Sequence, residues 1–254
     1  MISLKSKNWE INNIETVLFD KDGTFIDLHY FWGKMTELRA NEIIKRFNLS
    51  QDFFSQICLF LGYDVFSGKM LSDGITALYS RTKIIEIFRN NLLELGVDTT
   101  EEYLAQIFDY VSSVFYENML EYTKPIGSAI DFIKKIHNSG IKLGIVTSDS
   151  VVSTNLTLKQ FGWEDLFDVV VGRESCLCTK ESGEPTKLAL EKLGANIDTT
   201  IMIGDAPMDY ISAKNAGIDK TILVATGQID KVELVNTSQY VENNLGCLEI
   251  ICRD

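Results

Sequence analysis

The chain has 254 residues, 45% of them hydrophobic, and sets 24 Lys+Arg against 36 Asp+Glu for a formal net charge of −12. That acidic surplus disfavours nonspecific attraction to nucleic acid or to an anionic membrane surface, but leaves room for a small anionic ligand where cations gather locally. The length and apolar content suffice for one large domain or two modest ones with buried cores. No apolar run approaches the roughly 18 residues of a membrane span.

No sustained apolar segment follows the lysines of residues 1–15, so a cytosolic protein is expected. The five cysteines, Cys58, Cys176, Cys178, Cys247 and Cys252, form an odd set without zinc-site spacing and read as reduced thiols. The first strand signal is the apolar run TVLFD at 16–20, and it ends in a crowd of acids: Asp20, Asp22 and Asp27. Residues 28–122 then change character. The period is helical, proline is absent and aromatics are frequent, which predicts a helical insert between the first strand and those that follow.

From residue 123 onward strands and helices alternate. Pro125, Pro185 and Pro207 each directly precede an amphipathic helical pattern, where a first-turn proline is tolerated. In PIGSAIDFIKKIHNSG, Ile126, Ala129, Ile130, Ile133 and Ile136 recur at helical spacing and Gly140 supplies the stop. Then come strand IKLGIV, a helix ending at Gly162, strand FDVVVG, helix PTKLALEKLG, strand TIMIGD, helix MDYISAKNAG and strand KTILVAT. Such alternation implies parallel pairing, and so an α/β fold: a three-layer, doubly wound, Rossmann-like core of residues 1–26 and 123–254 carrying an all-helical cap at 27–122.

Ligands of open parallel sheets sit at the carboxyl ends of the strands. Those ends carry Asp20 after TVLF, Thr147 and Ser148 after LGIV, and Asp205 after IMIG. Asp20 and Asp22 lie two apart, and Gly23 then frees the backbone to turn, so both carboxylates can reach a common side. One Asp before a Gly ordinarily caps a turn, and Asp205 with Asp209 beside Pro207 ordinarily caps a helix. Two acidic clusters at neighbouring strand ends are better read together, as a hard-oxygen site suited to Mg²⁺. Three such carboxylates and a dianionic phosphate total −5, and like charges about 4 Å apart repel by roughly 4 kcal/mol per pair at a dielectric near 20. A divalent cation, a proton on Asp22 and a lysine offset that repulsion.

In these motifs the chain resembles the haloacid dehalogenase-like hydrolase superfamily, in its phosphatase branch of phosphoglycolate phosphatase type. The match rests on DKDGT at 20–24, the strand-terminal Thr in IVTSD, and GDAPMD at 204–209, in that order, with a helical cap between the first two. The resemblance spans essentially the whole chain. It implies Asp20 as a nucleophile forming an aspartyl-phosphate and Asp22 as general acid and base. It further implies Thr147, and Ser148 beside it, as phosphate holders. Asp20, the carbonyl of Asp22 and Asp205 would be Mg²⁺ ligands, with Asp209 supporting the metal shell.

The chain departs from the family at its lysine. Relatives carry Gly-Lys-Pro ahead of the third helix; here the run is GEP, with Glu184 in the lysine's place. Lys180 and Lys187 are the candidates, and Lys180 is preferred because a loop can bend its ammonium toward the strand ends. An acid two residues after the nucleophile favours a phosphate ester, whose poor alkoxide leaving group needs a proton, over a halide. Within the cap, LGYDVFSGKMLSDG with Gly62, Gly68 and Gly74 is the first candidate for a specificity loop; the segment around His29, Tyr30 and Trp32 is the second.

The expected protein is therefore a Mg²⁺-dependent phosphatase of a small phosphorylated metabolite, a monomer or weak dimer without nucleic-acid or membrane partners. A phosphomutase and a catalytically weak binding or regulatory homologue are the alternatives.

Overall fold

A computed structural model describes residues 1–252. In chain order its strands are β1 (Ile2–Lys5), β2 (Glu10–Ile14), β3 (Thr16–Phe19), β4 (Tyr63–Asp64), β5 (Lys69–Met70), β6 (Lys142–Val146), β7 (Val169–Val171), β8 (Thr200–Gly204), β9 (Thr221–Val224), β10 (Tyr240–Glu242) and β11 (Glu249–Cys252). The chain divides into two compact units, residues 1–27 with 125–254, and residues 28–124.

The first unit is built on a six-stranded parallel sheet in the order β10-β9-β8-β3-β6-β7. Every residue of β3, β8 and β9 is buried. Continuous apolar strands of this kind are buried on both faces, which is why the sequence shows runs rather than alternation. β3 is central, with Phe19 level with Ile145 of β6 on one side and Ile203 of β8 on the other. The residue after each of these strands therefore emerges at one edge.

The helices of this unit are α7 (Gly127–Asn138), α8 (Val151–Phe161), α9 (Glu184–Leu193), α10 (Pro207–Ala216) and α11 (Lys231–Leu234), which lie on both sides of the sheet. Pro185 and Pro207 occupy the first turns of α9 and α10, and Gly162 closes α8 with a left-handed φ of 68°. On one face Leu18, Val146 and Met202 pack against Ala189, Leu190, Leu193 and Ala213. On the other, Phe19 meets the ring of Phe167 edge-on at 6.1 Å, and Phe25 stacks on that ring at 5.6 Å.

Two features of this unit lie outside the sequence reading. β1, β2 and β11 form a separate antiparallel sheet in the order β11-β1-β2, so TVLF is the first strand of the parallel sheet but the third of the chain. Ile2, Leu4, Ile11 and Ile14 are buried in it, and Asn13, at φ 60°, lies where the register shifts between the Ile2–Ile14 and Leu4–Ile11 pairs. Asn is among the few residues that adopt that conformation readily. The short strand β10 adds itself beside β9.

The second unit holds α1 (Leu28–Phe47), α2 (Phe54–Phe60), α3 (Ile75–Leu78), α4 (Arg81–Leu93), α5 (Glu101–Glu117) and α6 (Met119–Tyr122). Its core joins Phe31, Phe88, Phe108 and Phe115, and the guanidinium of Arg39 lies 4.2 Å from the ring centre of Phe108. The helical patterns are more broken than their period suggests. Ser80 accepts from the Lys83 amide and so starts α4 afresh after α3, and Asn118 separates α5 from α6.

The glycine-rich segment expected as a loop contains the antiparallel ribbon β4–β5, so this unit is helical except for one two-stranded element. Gly62 and Gly74 approach so closely at its base that a Cβ on either would fall under 3 Å from the other's Cα. Nδ1 of His29 accepts a hydrogen bond from the Met70 amide at 3.1 Å, which ties the ribbon to α1. Among the described residues no helix is long and apolar enough to cross a membrane.

Candidate active site

The amide of Asp20 donates to the Ile203 carbonyl at 2.8 Å, continuing the β3–β8 pairing one residue past the strand and setting Asp20 beside Asp205. The chain then closes on itself: the amides of Thr24, Phe25 and Ile26 all converge on the carbonyl of Lys21, and the Gly23 amide donates to Ile26 at 2.7 Å. Gly23 has φ 89°, and a Cβ there would sit 2.3 Å from Oδ2 of Asp205. Only glycine meets both demands, positive φ and near-contact with a carboxylate.

Asp20, Asp205 and Asp209 each offer a carboxylate oxygen, and these lie within 4.8 Å of one another, all three side chains being buried. Asp209 is fully engaged. Its Oδ2 accepts from the amides of Asp205 and Ala206 at 3.0 Å each, and its Oδ1 meets Lys180 Nζ at 2.6 Å. It thus shapes the turn that carries Asp205 while capping α10. Lys180 Nζ also reaches Oδ1 of Asp20 at 2.5 Å.

Burial raises Asp20 to about 7, with Lys180 opposing and Asp209 adding to the rise. Burial, then the charges of Asp20 and Asp209, hold Asp205 well above the usual carboxylate range. Burial disfavours the charge of Lys180, but Asp20 and Asp209 outweigh it and hold the ammonium above the ordinary lysine value. Asp205 has no Lys or Arg nitrogen within ion-pair distance among the described residues. Clustered, buried oxygen donors with one ammonium among them are a donor set that suits a hard divalent cation such as Mg²⁺.

The remaining sequence candidates fall as follows. Asp22 is partly exposed, and its Oδ1 meets Lys21 Nζ at 2.5 Å. Thr147 is buried one residue past β6, with its amide on the Val171 carbonyl and its Oγ1 accepting from the Asp149 amide at 3.0 Å. Ser148 is exposed beside it. The two lysines separate clearly: Lys180 is 7% exposed and begins a short 3₁₀ turn (Lys180–Ser182) among the carboxylates, whereas the half-exposed Lys187 pairs with Glu184 at 2.8 Å on α9.

Sequence reasoning missed three participants. Lys21 is completely buried and pairs with Asp149 Oδ2 at 3.1 Å as well as with Asp22. A lysine wedged between two aspartates directly behind a buried strand was the available signal, since such a side chain is buried only when paired. Asp149 was visible in TSDS but lay beyond the threonine. Thr226 follows β9 and donates through Oγ1 to the Gly23 carbonyl at 2.5 Å, and the next residue, Gly227, leaves no room for a Cβ beside Asp205. Nothing in the local sequence marks that contact.

Residues 17–224 match the family model of haloacid dehalogenase-like hydrolases. The chain is 30% identical over 215 residues to the pyrophosphatase PpaX of Halalkalibacterium halodurans, covering 83% of each chain. It is 24% identical over 216 residues to a phosphoglycolate phosphatase of Aquifex aeolicus, covering 85% of this chain and 87% of the relative. Among solved structures, a protein of Haemophilus somnus described as a predicted phosphoglycolate phosphatase superposes with a TM-score of 0.71 at 17% identity, over 93% of this chain and 96% of the other.

Proposed function

Because the chain belongs to the haloacid dehalogenase-like hydrolases, we propose that it is a Mg²⁺-dependent phosphatase that acts on a small phosphorylated metabolite through a phosphoryl group carried on Asp20. The observation that carries this reading is the placement of Asp20: a buried carboxylate held 2.5 Å from an ammonium, at the strand edge it shares with Asp205 and Thr147.

An oxygen of Asp20 attacks phosphorus as the bond to the leaving oxygen breaks, and Asp22, two residues on, gives its proton to that oxygen. In the second half Asp22 takes a proton from water as the water oxygen attacks phosphorus, the Asp20–phosphate bond breaks, and inorganic phosphate leaves. Lys180, with Thr147 and Ser148, holds the phosphoryl oxygens, and the Lys180 charge favours the negative charge that gathers there. Asp209 keeps Lys180 and the Asp205 turn in place. Asp20, Asp205 and the carbonyl of Asp22 would hold Mg²⁺, which would offset the negative charge of the carboxylates and of the phosphate. The cysteines are free and the net charge is −12, which supports a reduced, cytosolic setting away from polyanions.

The test is release of inorganic phosphate across a panel of small phosphorylated compounds, with and without Mg²⁺. Pyrophosphate and phosphoglycolate come first, because the relatives named above act on them by name. Mg²⁺-dependent release that EDTA stops and Mg²⁺ restores is expected. A folded protein that releases phosphate from none of them, or equally well in EDTA, defeats the reading.

A further inference from the structure

Lys21 is an unusual residue to find inside a protein. It is 0% exposed and ranks among the largest fully buried side chains, with an ammonium that water cannot reach. A charge is buried at a heavy cost unless partners replace the lost hydration. The partners here are Asp22 Oδ1 at 2.5 Å and Asp149 Oδ2 at 3.1 Å.

Each end of this bridge is anchored. The Lys21 carbonyl receives the amides of Thr24, Phe25 and Ile26, so its side chain starts from a rigid turn. Asp149 receives the Ser150 amide on Oδ1 at 2.7 Å and gives its own amide to Thr147 Oγ1 at 3.0 Å, while Ser150 Oγ caps α8 by accepting from the Ser153 amide at 3.0 Å. One ammonium therefore links the carboxylate of Asp22 to the loop that carries Thr147 and Ser148.

We propose that Lys21 is a positioning residue: by holding Oδ1 of Asp22 and anchoring it through Asp149 to the loop after β6, it fixes where the second oxygen of Asp22 meets the leaving oxygen of a bound phosphate ester. The inference rests on the reading of Asp22 as proton donor. Without Lys21 the Asp22 carboxylate loses its 2.5 Å ion pair and its tie through Asp149 to the loop after β6, and a displacement of about 1 Å in such a group costs on the order of 100-fold in rate.

The loss falls on the step that needs the proton. An alkyl phosphate, whose leaving oxygen is strongly basic, depends on Asp22 far more than p-nitrophenyl phosphate, whose phenolate leaves readily. The measurement is kcat/KM for phosphoglycolate and p-nitrophenyl phosphate with Mg²⁺ present, which reports the steps up to phosphoryl transfer to Asp20. Lys21→Met is expected to lower it roughly 10- to 100-fold for phosphoglycolate and under about 3-fold for p-nitrophenyl phosphate. Asp22→Asn is expected to give the same selectivity with a larger loss.

Equal losses on both esters, or no loss on phosphoglycolate, overturn the role of Lys21. If Asp22→Asn is selective and Lys21→Met is not, only Lys21 is reassigned. If Asp22→Asn itself is unselective, the reading of Asp22 falls and this proposal with it; if the wild type hydrolyses neither ester, this proposal falls, while release from pyrophosphate would still sustain the reading of Asp22. Should Lys21→Met fail to fold, Asp149→Asn decides by the same pair of esters, since it leaves Lys21 and Asp22 in place and removes only the anchor.

Discussion

Lys180 Nζ lies 2.5 Å from Oδ1 of Asp20, across a sequence separation of 160 residues. The contact joins the loop after β7 to the end of β3, and Asp209 makes it a three-way cluster by meeting the same ammonium at 2.6 Å. Two buried carboxylates share one buried cation, so each group is tolerable only while the others remain.

The first prediction concerns that cation. Lys180→Ala leaves Asp20 and Asp209 without their counter-charge, which should cost ~3–5 kcal/mol of stability as breaking buried ion pairs does. Phosphate release should fall by at least roughly 100-fold, the scale of losing a preorganised charge at a transferring group. Lys187→Ala removes only a half-exposed pair with Glu184 and should change stability by under ~0.5 kcal/mol. Urea melts and phosphate release on the two variants side by side make the check; a loss of rate confined to Lys187→Ala reverses the assignment.

The second prediction concerns the proposed nucleophile, Asp20. Asp20→Asn removes the oxygen proposed to attack but keeps nearly the same shape, so turnover should drop to background while the far-ultraviolet circular dichroism and a cooperative melt persist. A variant that still releases phosphate at close to the wild-type rate shows that another group attacks.

How much of this was legible in the chain differs by element. The parallel strands were visible because burial on both faces writes continuous apolar runs such as TVLF and TIMIG, and the helices between them were bounded by Pro185, Pro207 and Gly162. Asp20, Thr147 and Asp205 could be placed at one edge because a parallel sheet delivers all its carboxyl ends to the same side. The sheet of β1, β2 and β11 was not legible, since it pairs the two ends of the chain through short strands, one interrupted by Asn12 and Asn13. Lys180 could be preferred over Lys187 only on the reach of a loop. Its actual hold on Asp20 and Asp209 is tertiary, as is the contact of Thr226 with Gly23, and no local pattern encodes either.

The third prediction uses the backbone beneath the carboxylates. Gly23→Ala forces a side chain into a left-handed φ of 89° and brings its Cβ within 2.3 Å of the Asp205 carboxylate. Gly140 has a comparable φ of 76° with open space around it, so Gly140→Ala isolates the backbone strain, about 1–3 kcal/mol. Both variants should lose that much, but only Gly23→Ala should also raise the Mg²⁺ concentration needed for half-maximal activity, by roughly 10-fold or more if Asp205 is displaced. Equal Mg²⁺ requirements in the two variants would separate Gly23 from the proposed metal site.

The last prediction follows from the titration of Asp20. Its folded value is raised from 3.8 to about 7, chiefly by burial. Below about pH 4 the carboxyl is protonated in both folded and unfolded chains and contributes nothing. Between about 4 and 7 the unfolded chain has ionised while the folded one retains the proton, so the folded state binds more protons and stability falls as pH rises, by at most ~1.4 kcal/mol per pH unit for one group. Above about 7 the full penalty is present. Asp205 is shifted in the same direction and deepens the slope. Metal-free wild-type protein should therefore gain on Asp20→Asn as the pH is lowered from 8 to 5. Mg²⁺ held by the ionised carboxylates, as proposed, would stabilise the folded state by mass action, so the rise in Tm it produces should be larger at pH 8 than at pH 5, and Asp20→Asn should blunt it. Thermal melts of both proteins at the two pH values, in EDTA and in excess Mg²⁺, decide the matter. A Mg²⁺-induced rise in Tm that is independent of pH, or unchanged in Asp20→Asn, would mean that the cation binds somewhere other than the cluster of Asp20, Asp205 and Asp209.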